Sequence, residues 1–431
     1  MGKLHFPNQW KLCIALIAFA LCSPAYDELK SPGEWRIWAP RAELRPSGTA
    51  MPDGSLTLSA AANPAIFGGW VKEVGNVHAG SWLRFESEYK AEGLNRPWNQ
   101  VLVRLEWRDS KGKRVGEPEY AWREERHSGW TRVWEESQAP ENAVGAELQL
   151  WLYDAEKGSA VFRNAAVKVT AAPDPRKVRL ASVNFRPQNV EGGEANVRKL
   201  VSVAESGLRG PVDLIVFGEG VTVVGSTKTY PEIAEPADGY TVKILGELAK
   251  SKSAYVVAGI YERDGTAIYN TAVLIDRNGK YAGKYRKIML PREEIERGLT
   301  PGKDPAVFDV DFGKLGLMVC YDVFFSEPAK ALAMRGAEVV AMPIWGGDET
   351  LAKARSIEGR MFLVASGYDH PTYVQDPNGE RLSEAHTNGS VAYAEIDLSK
   401  RYRQAFLGDM RGRRMRETRG DLAIMPNPSK P

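Results

Sequence analysis

Val212-Asp213-Leu214-Ile215-Val216-Phe217-Gly218-Glu219 is a nearly continuous apolar run that stops on a glycine and a carboxylate. A run this short and this apolar reads as a strand of a parallel sheet covered on both faces, where neither row of side chains meets water. Outward from it the signals alternate. Residues 178–183 read as a strand and 196–204 have helical spacing. Downstream come a helix over 241–250, strands at 255–260, 271–275 and 315–319, a helix over 328–335 and a strand at 339–342. This alternation predicts a layered α/β domain over 178–410. Reactive groups in open α/β sheets gather where strands end. Three polar residues stand at such ends: Glu219, Lys287 after the strand that starts near Tyr281, and Cys320 directly after 315–319.

Tryptophan separates this half from the other. Of twelve, ten lie between Trp35 and Trp151, and only Trp345 comes later. Residues 82–89, 100–107 and 146–153 alternate apolar and polar positions between Gly, Asn and Pro breaks, which predicts an antiparallel, jelly-roll-like β-sandwich over 26–172. Trp82, Trp107 and Trp151 are expected between its sheets. The module is similar in strand pattern and aromatic content to galactose-binding-like and carbohydrate-binding modules. Trp122, Trp130 and Trp134 then have two readings, as structural aromatics or as platforms for a bound glycan. Two prolines in Ala171-Ala172-Pro173-Asp174-Pro175 mark a linker over 173–177.

At the N-terminus, Lys3 and Lys11 precede the apolar stretch 13–22, and Ser23-Pro24-Ala25 follows. That is the pattern of a secretory signal over 1–25, cut after Ala25, and it predicts an exported protein with no membrane attachment after cleavage. An uncleaved anchor is the runner-up, but the stretch is short for the ~20 residues of a span. Bulky Leu21 argues against a lipoprotein signal at Cys22. With Cys13 and Cys22 removed, Cys320 is the single thiol, so neither an intrachain disulfide nor a cysteine-based metal site is expected.

Composition narrows the partners. Lys plus Arg number 57 against 55 Asp plus Glu, a balance that argues against nucleic-acid binding. The basic run from Arg411 to Arg419, in the segment 411–431, reads as a solvated tail or an interface. His78, His127, His370 and His386 lie outside the Cys320 and Lys287 stretches, so a Cys–His peptidase has no local support. No G-x-S-x-G elbow, G-x-G-x-x-G or P-loop appears.

Three motifs taken together resemble the signatures of the nitrilase, or carbon–nitrogen hydrolase, superfamily. They are Asp213-Leu214-Ile215-Val216-Phe217-Gly218-Glu219, Tyr285-Arg286-Lys287-Ile288-Met289-Leu290 and Gly316-Leu317-Met318-Val319-Cys320-Tyr321-Asp322. Tyr269-Asn270, Thr300-Pro301-Gly302, Phe325-Ser326-Glu327, residues 354–358 and the turn Asp376-Pro377-Asn378-Gly379 add minor matches. The resemblance implies a four-layer αββα sandwich that pairs as a homodimer. It also implies a Glu219–Lys287–Cys320 triad with no metal and no organic cofactor. In the implied roles Glu219 is the base, Lys287 stabilises the oxyanion and Cys320 is the nucleophile of a thioester route. The resemblance also implies a small-molecule substrate with an amide or N-carbamoyl bond rather than a nitrile.

A second glutamate between Lys and Cys is implied as well. Glu293, Glu294 and Glu296 compete for that place, and a one-residue shift favours Glu294. Gly218, Met289, Ser326 and Gly359 depart from the family's usual Pro, His, Pro and Asn. The rival expectation is a catalytically silent carbohydrate- or ligand-binding protein on a hydrolase scaffold, which the presence of all three catalytic residue types opposes.

Overall fold

The computed structural model describes residues 34–60, 62–404 and 406–419, so the expected export signal lies outside the described residues. From Arg36 to Thr170 every strand pairing is antiparallel. Five strands form one sheet, in the order Arg36–Trp38, Phe67–Val74, Gly145–Tyr153, Val101–Arg108, Glu119–Tyr120. Six form another: Ser47–Ala50, Leu56–Ser59, Ser159–Thr170, Trp82–Glu92, Trp130–Gln138, Arg123–His127. Leu83, Phe85 and Tyr89 of one sheet share a core with Leu105, Trp107, Leu148 and Leu150 of the other.

The period of two along a strand corrects two of the tryptophan expectations. Trp107 is in the shared core. Trp151 follows the inward Leu150 and so faces the opposite way, stacked on Trp38 at 5.1 Å with Arg104 over its ring. Trp82 precedes the inward Leu83 and is half-buried. Of the tryptophans singled out for sugar stacking, each carries a guanidinium over its ring: Arg123 on Trp122, Arg163 on Trp130, Arg84 on Trp134.

Lys177–Asn184 opens the second half. It pairs in parallel with Leu214–Val216, which pairs in parallel with Tyr255–Asp264. Ala267–Ile275 and Tyr281–Arg286 extend this sheet at one edge, and Ser390–Asp397 closes the other. A second six-stranded sheet runs Ala306–Val310, Gly313–Leu317, Val339–Pro343, Phe362–Ser366, Thr372–Gln375, Arg381–Ala385. One face of each sheet meets the other: Leu180, Leu214 and Val257 pack with Leu315, Val339 and Val364. The first sheet's far face, with Ile215 and Val256, takes Leu200 of helix Glu194–Gly207 and Leu248 of helix Tyr240–Lys252. The second sheet's far face, with Val340 and Leu363, takes Leu332 of helix Ser326–Met334 and Ala352 of helix Glu349–Gly359. Burial on both faces explains why Leu214–Val216 has no polar alternation.

The basic run near the C-terminus is an interface within the chain. Helix Met410–Glu417 lies on the antiparallel half, where the buried Arg416 donates to the carbonyls of Trp98, Ala121 and Trp122. Arg401 pairs with Glu135 and Arg403 with Glu119, each at 2.5 Å. Among the described residues no helix is long and apolar enough to cross a membrane.

Candidate active site

Each polar strand end reaches the same place by a separate local device. After Leu214–Val216 the chain turns, and its turn is zipped to the neighbouring strand: Gly259 N–H donates to Gly218 O at 3.0 Å and Val221 N–H to Gly259 O at 2.9 Å. The approach is so close that a Cβ on Gly259 would stand 2.7 Å from the Cα of Glu219. Gly218 is also closely approached, since a Cβ there would meet the ring of the half-buried Tyr368 at 2.7 Å. Lys287 follows Tyr281–Arg286, with its N–H donating to Asn270 O and its carbonyl accepting from Gly302 N–H, both at 2.8 Å. Glu294 lies on the short helix Arg292–Glu296.

Cys320 has φ +41°, a left-handed conformation that is uncommon outside glycine and characteristic of residues held by their surroundings. Asp322 does the holding. Its carboxylate accepts from Val319 N–H at 2.9 Å, from Met289 N–H at 2.9 Å and from Tyr285 O–H at 2.8 Å. One side chain thereby ties the cysteine turn to the lysine loop.

The side chains converge on one buried cluster. Lys287 Nζ donates to Oε1 of Glu219 and to Oε1 of Glu294, both at 3.0 Å. Asn270 Nδ2 donates to the same two oxygens at 2.6 and 2.7 Å. Glu219, Lys287 and Asn270 are each no more than 2% exposed. Cys320 is half-buried, and its Sγ donates to Gly346 O at 3.3 Å. Glu219, Lys287, Glu294 and Cys320 all line a cavity of about 930 Å³. Tyr230, stacked on Tyr261 at 4.1 Å, and Trp345 form its aromatic walls.

Electrostatics sorts the protons. Burial pushes the Cys320 thiol up to about 12, with Glu219 adding to the effect and Lys287 opposing it, so the resting sulfur keeps its proton at neutral pH. Burial also works against a charged Lys287, but Glu219, Cys320 and Glu294 outweigh it and hold the ammonium well above the ordinary lysine range. Burial raises Glu294. The arrangement can therefore present a neutral nucleophile, a fixed cation and a carboxylate beside both. Among the described residues no group of three or more His, Cys, Asp or Glu is placed to hold a metal ion.

The structure brings Glu219, Lys287, Cys320 and Glu294 together and leaves the other two glutamates out of that cluster, although Glu293 lines the same cavity. Glu293 pairs with Arg297 and Glu296 with Arg292, both on the exposed side of their turn. The loop 221–238 supplies the wall from Gly225 to Pro231. Of the stretch 346–353, the Gly346 carbonyl reaches Cys320. The part played by Asn270 was not legible from its place in a Tyr-Asn pair, and nothing in the sequence marked Tyr368.

The carbon–nitrogen hydrolase family profile matches residues 179–405. A nitrilase of Pyrococcus abyssi is 32% identical over 239 residues, 51% of this chain and 90% of the relative. The human omega-amidase is 27% identical over 249 residues, 52% of this chain and 89% of the relative. Among solved structures, an amidase of Nesterenkonia sp. is 24% identical with a TM-score of 0.45, covering 52% of this chain and 93% of that one. With the match spanning just over half of its 431 residues, the chain belongs to the carbon–nitrogen hydrolase family and is an enzyme acting on non-peptide C–N bonds.

Proposed function

We propose that this enzyme hydrolyses an amide-type bond of a small molecule through a thioester on Cys320, releasing a carboxylic acid and ammonia or an amine. The observation that carries this reading is the convergence of a protonated thiol, a permanent cation and a carboxylate on one cavity. A thiol that keeps its proton cannot attack as a preformed thiolate, so the proton has to leave during attack, and Glu219 is the base at hand. Sγ adds to the carbonyl carbon as Glu219 takes its proton. The negative charge that develops on oxygen is met by Lys287 and by the backbone N–H that follows Cys320. The C–N bond breaks as Glu219 passes the proton to the departing nitrogen. Water then adds to the thioester, giving one proton to Glu219, and the acid leaves as that proton returns to sulfur. Glu294 keeps Lys287 aimed at the reacting carbonyl. The layers described above fit a four-layer αββα domain beside an antiparallel β-sandwich.

The test is release of ammonia or amine from a panel of amides, N-carbamoyl compounds and nitriles, with wild type and Cys320→Ala. Release from amides by the wild type, abolished in the variant, is the expected result. Release that persists in Cys320→Ala would sink the thioester route.

A further inference from the structure

Lys287 is not the only group bridging the two carboxylates. Asn270 sits on strand Ala267–Ile275, opposite Tyr261 in the antiparallel register, and its one amide nitrogen reaches Oε1 of Glu219 and Oε1 of Glu294. The side chain has to face this way. Turned round, its carbonyl oxygen would stand against two carboxylate oxygens at 2.6 and 2.7 Å, acceptor against acceptor. Each Oε1 therefore accepts from two donors, one ammonium and one amide. The other oxygen, Oε2, is buried in both residues and has no hydrogen-bond partner among the described residues. The same residue also fixes the lysine, whose backbone N–H donates to Asn270 O at 2.8 Å.

We propose that Asn270 is a positioning residue of this site: its amide occupies Oε1 of both carboxylates and leaves Oε2 of Glu219 as the oxygen that takes the proton from Cys320. The inference rests on Glu219 acting as the base. Without the amide, Lys287 alone cannot hold both carboxylates in one orientation, and Oε1 competes for the proton in a geometry that does not serve sulfur. The titratable groups that face Glu219 are Lys287, Glu294, Cys320, Tyr261 and Tyr368. Burial, reinforced by Glu219, holds both tyrosines well above the phenol range, and Lys287 stays cationic, so none of these three titrates near neutral pH.

The experiment is alkylation of Cys320 by iodoacetamide in the full chain, followed by mass spectrometry across pH. Wild type is compared with Asn270→Ala, Asn270→Asp, Asn270→Ser and Glu219→Gln. Loss of a hydrogen bond to a charged group predicts a plateau rate about tenfold lower in Asn270→Ala. Asn270→Asp keeps the shape but offers an ionised acceptor in place of a donor, and should be slower still. Asn270→Ser keeps one donor and should fall between wild type and Asn270→Ala, even if another variant fails to fold. If Asn270→Ser and Asn270→Asp alkylate like wild type while Glu219→Gln is slow, the positioning role is wrong and the base stands. If Glu219→Gln is alkylated as fast as wild type, the base itself is wrong and this proposal falls with it.

Discussion

At the scale of single residues, the site depends on side chains that tie separate loops together. Asp322 shows this most plainly: it has no exposure, and it accepts three hydrogen bonds that join the cysteine turn to the lysine loop. Burial pushes its carboxyl up to about 6 even so. A carboxyl whose folded value is raised contributes stability that is present below about pH 4 and is lost as pH rises through about 6. That rise corresponds to about 3 kcal/mol. Asp322→Asn does not titrate, so the stability gap between wild type and variant should be widest at the acid end and narrow by about that amount towards neutrality. Urea unfolding of both proteins across this range measures the gap, and a constant gap would overturn the account. Glu219 and Cys320 were legible because each stands where an apolar strand stops, whereas Lys287, after the polar strand Tyr281–Arg286, stood out only through its motif. Glu294 was separated from Glu293 and Glu296 only by the turn of a helix of five residues, which aims one of the three inward.

Among the elements, strand Tyr255–Asp264 has a role its sequence did not advertise. Its Gly259 lets the backbone of Glu219 lie against it, and the two hydrogen bonds it makes across the turn fix where the carboxylate points. Gly259→Ala puts a methyl carbon 2.7 Å from a backbone carbon that has nowhere to move. Overpacking of this kind costs about 1–3 kcal/mol. A displaced catalytic carboxylate should also cut turnover by at least about tenfold. The melting temperature and turnover of Gly259→Ala, measured together, check both effects; normal turnover in a destabilised protein would show that Glu219 is held by something else. Gly218, which departs from the proline usual in the family, has the same kind of explanation, since the ring of Tyr368 fills the space a larger residue would need.

For the molecule as a whole, the C-terminal segment joins the two halves through buried charge. Glu119 is 4% exposed and takes its salt bridge from Arg403, across 284 residues of sequence. Burial raises the Glu119 carboxyl despite that partner. Arg403→Ala should destabilise the chain by about 2 kcal/mol at alkaline pH, less than a fully buried pair because Arg403 is about a third exposed. Because a raised carboxyl withdraws stability as pH rises, the defect should shrink on acidification and should be relieved by adding Glu119→Gln. Calorimetry at two pH values reads this directly, and a defect equal at both would sink the explanation.

Most of the strand and helix order from residue 178 to 342, and the strand ends at Glu219 and Cys320, followed from the sequence alone, because apolar period and turn chemistry are local properties. Two things were not local. The inward or outward choice of Trp107 and Trp151 depends on which face of a sheet becomes covered, and a sheet has no covered face until its partner sheet arrives. The meeting of Asn270, Lys287, Glu294 and Glu219 at one point, with Cys320 lining the same cavity, depends on side chains brought together from positions 219 to 320. Burial then sets their proton affinities, and burial is decided only by tertiary packing.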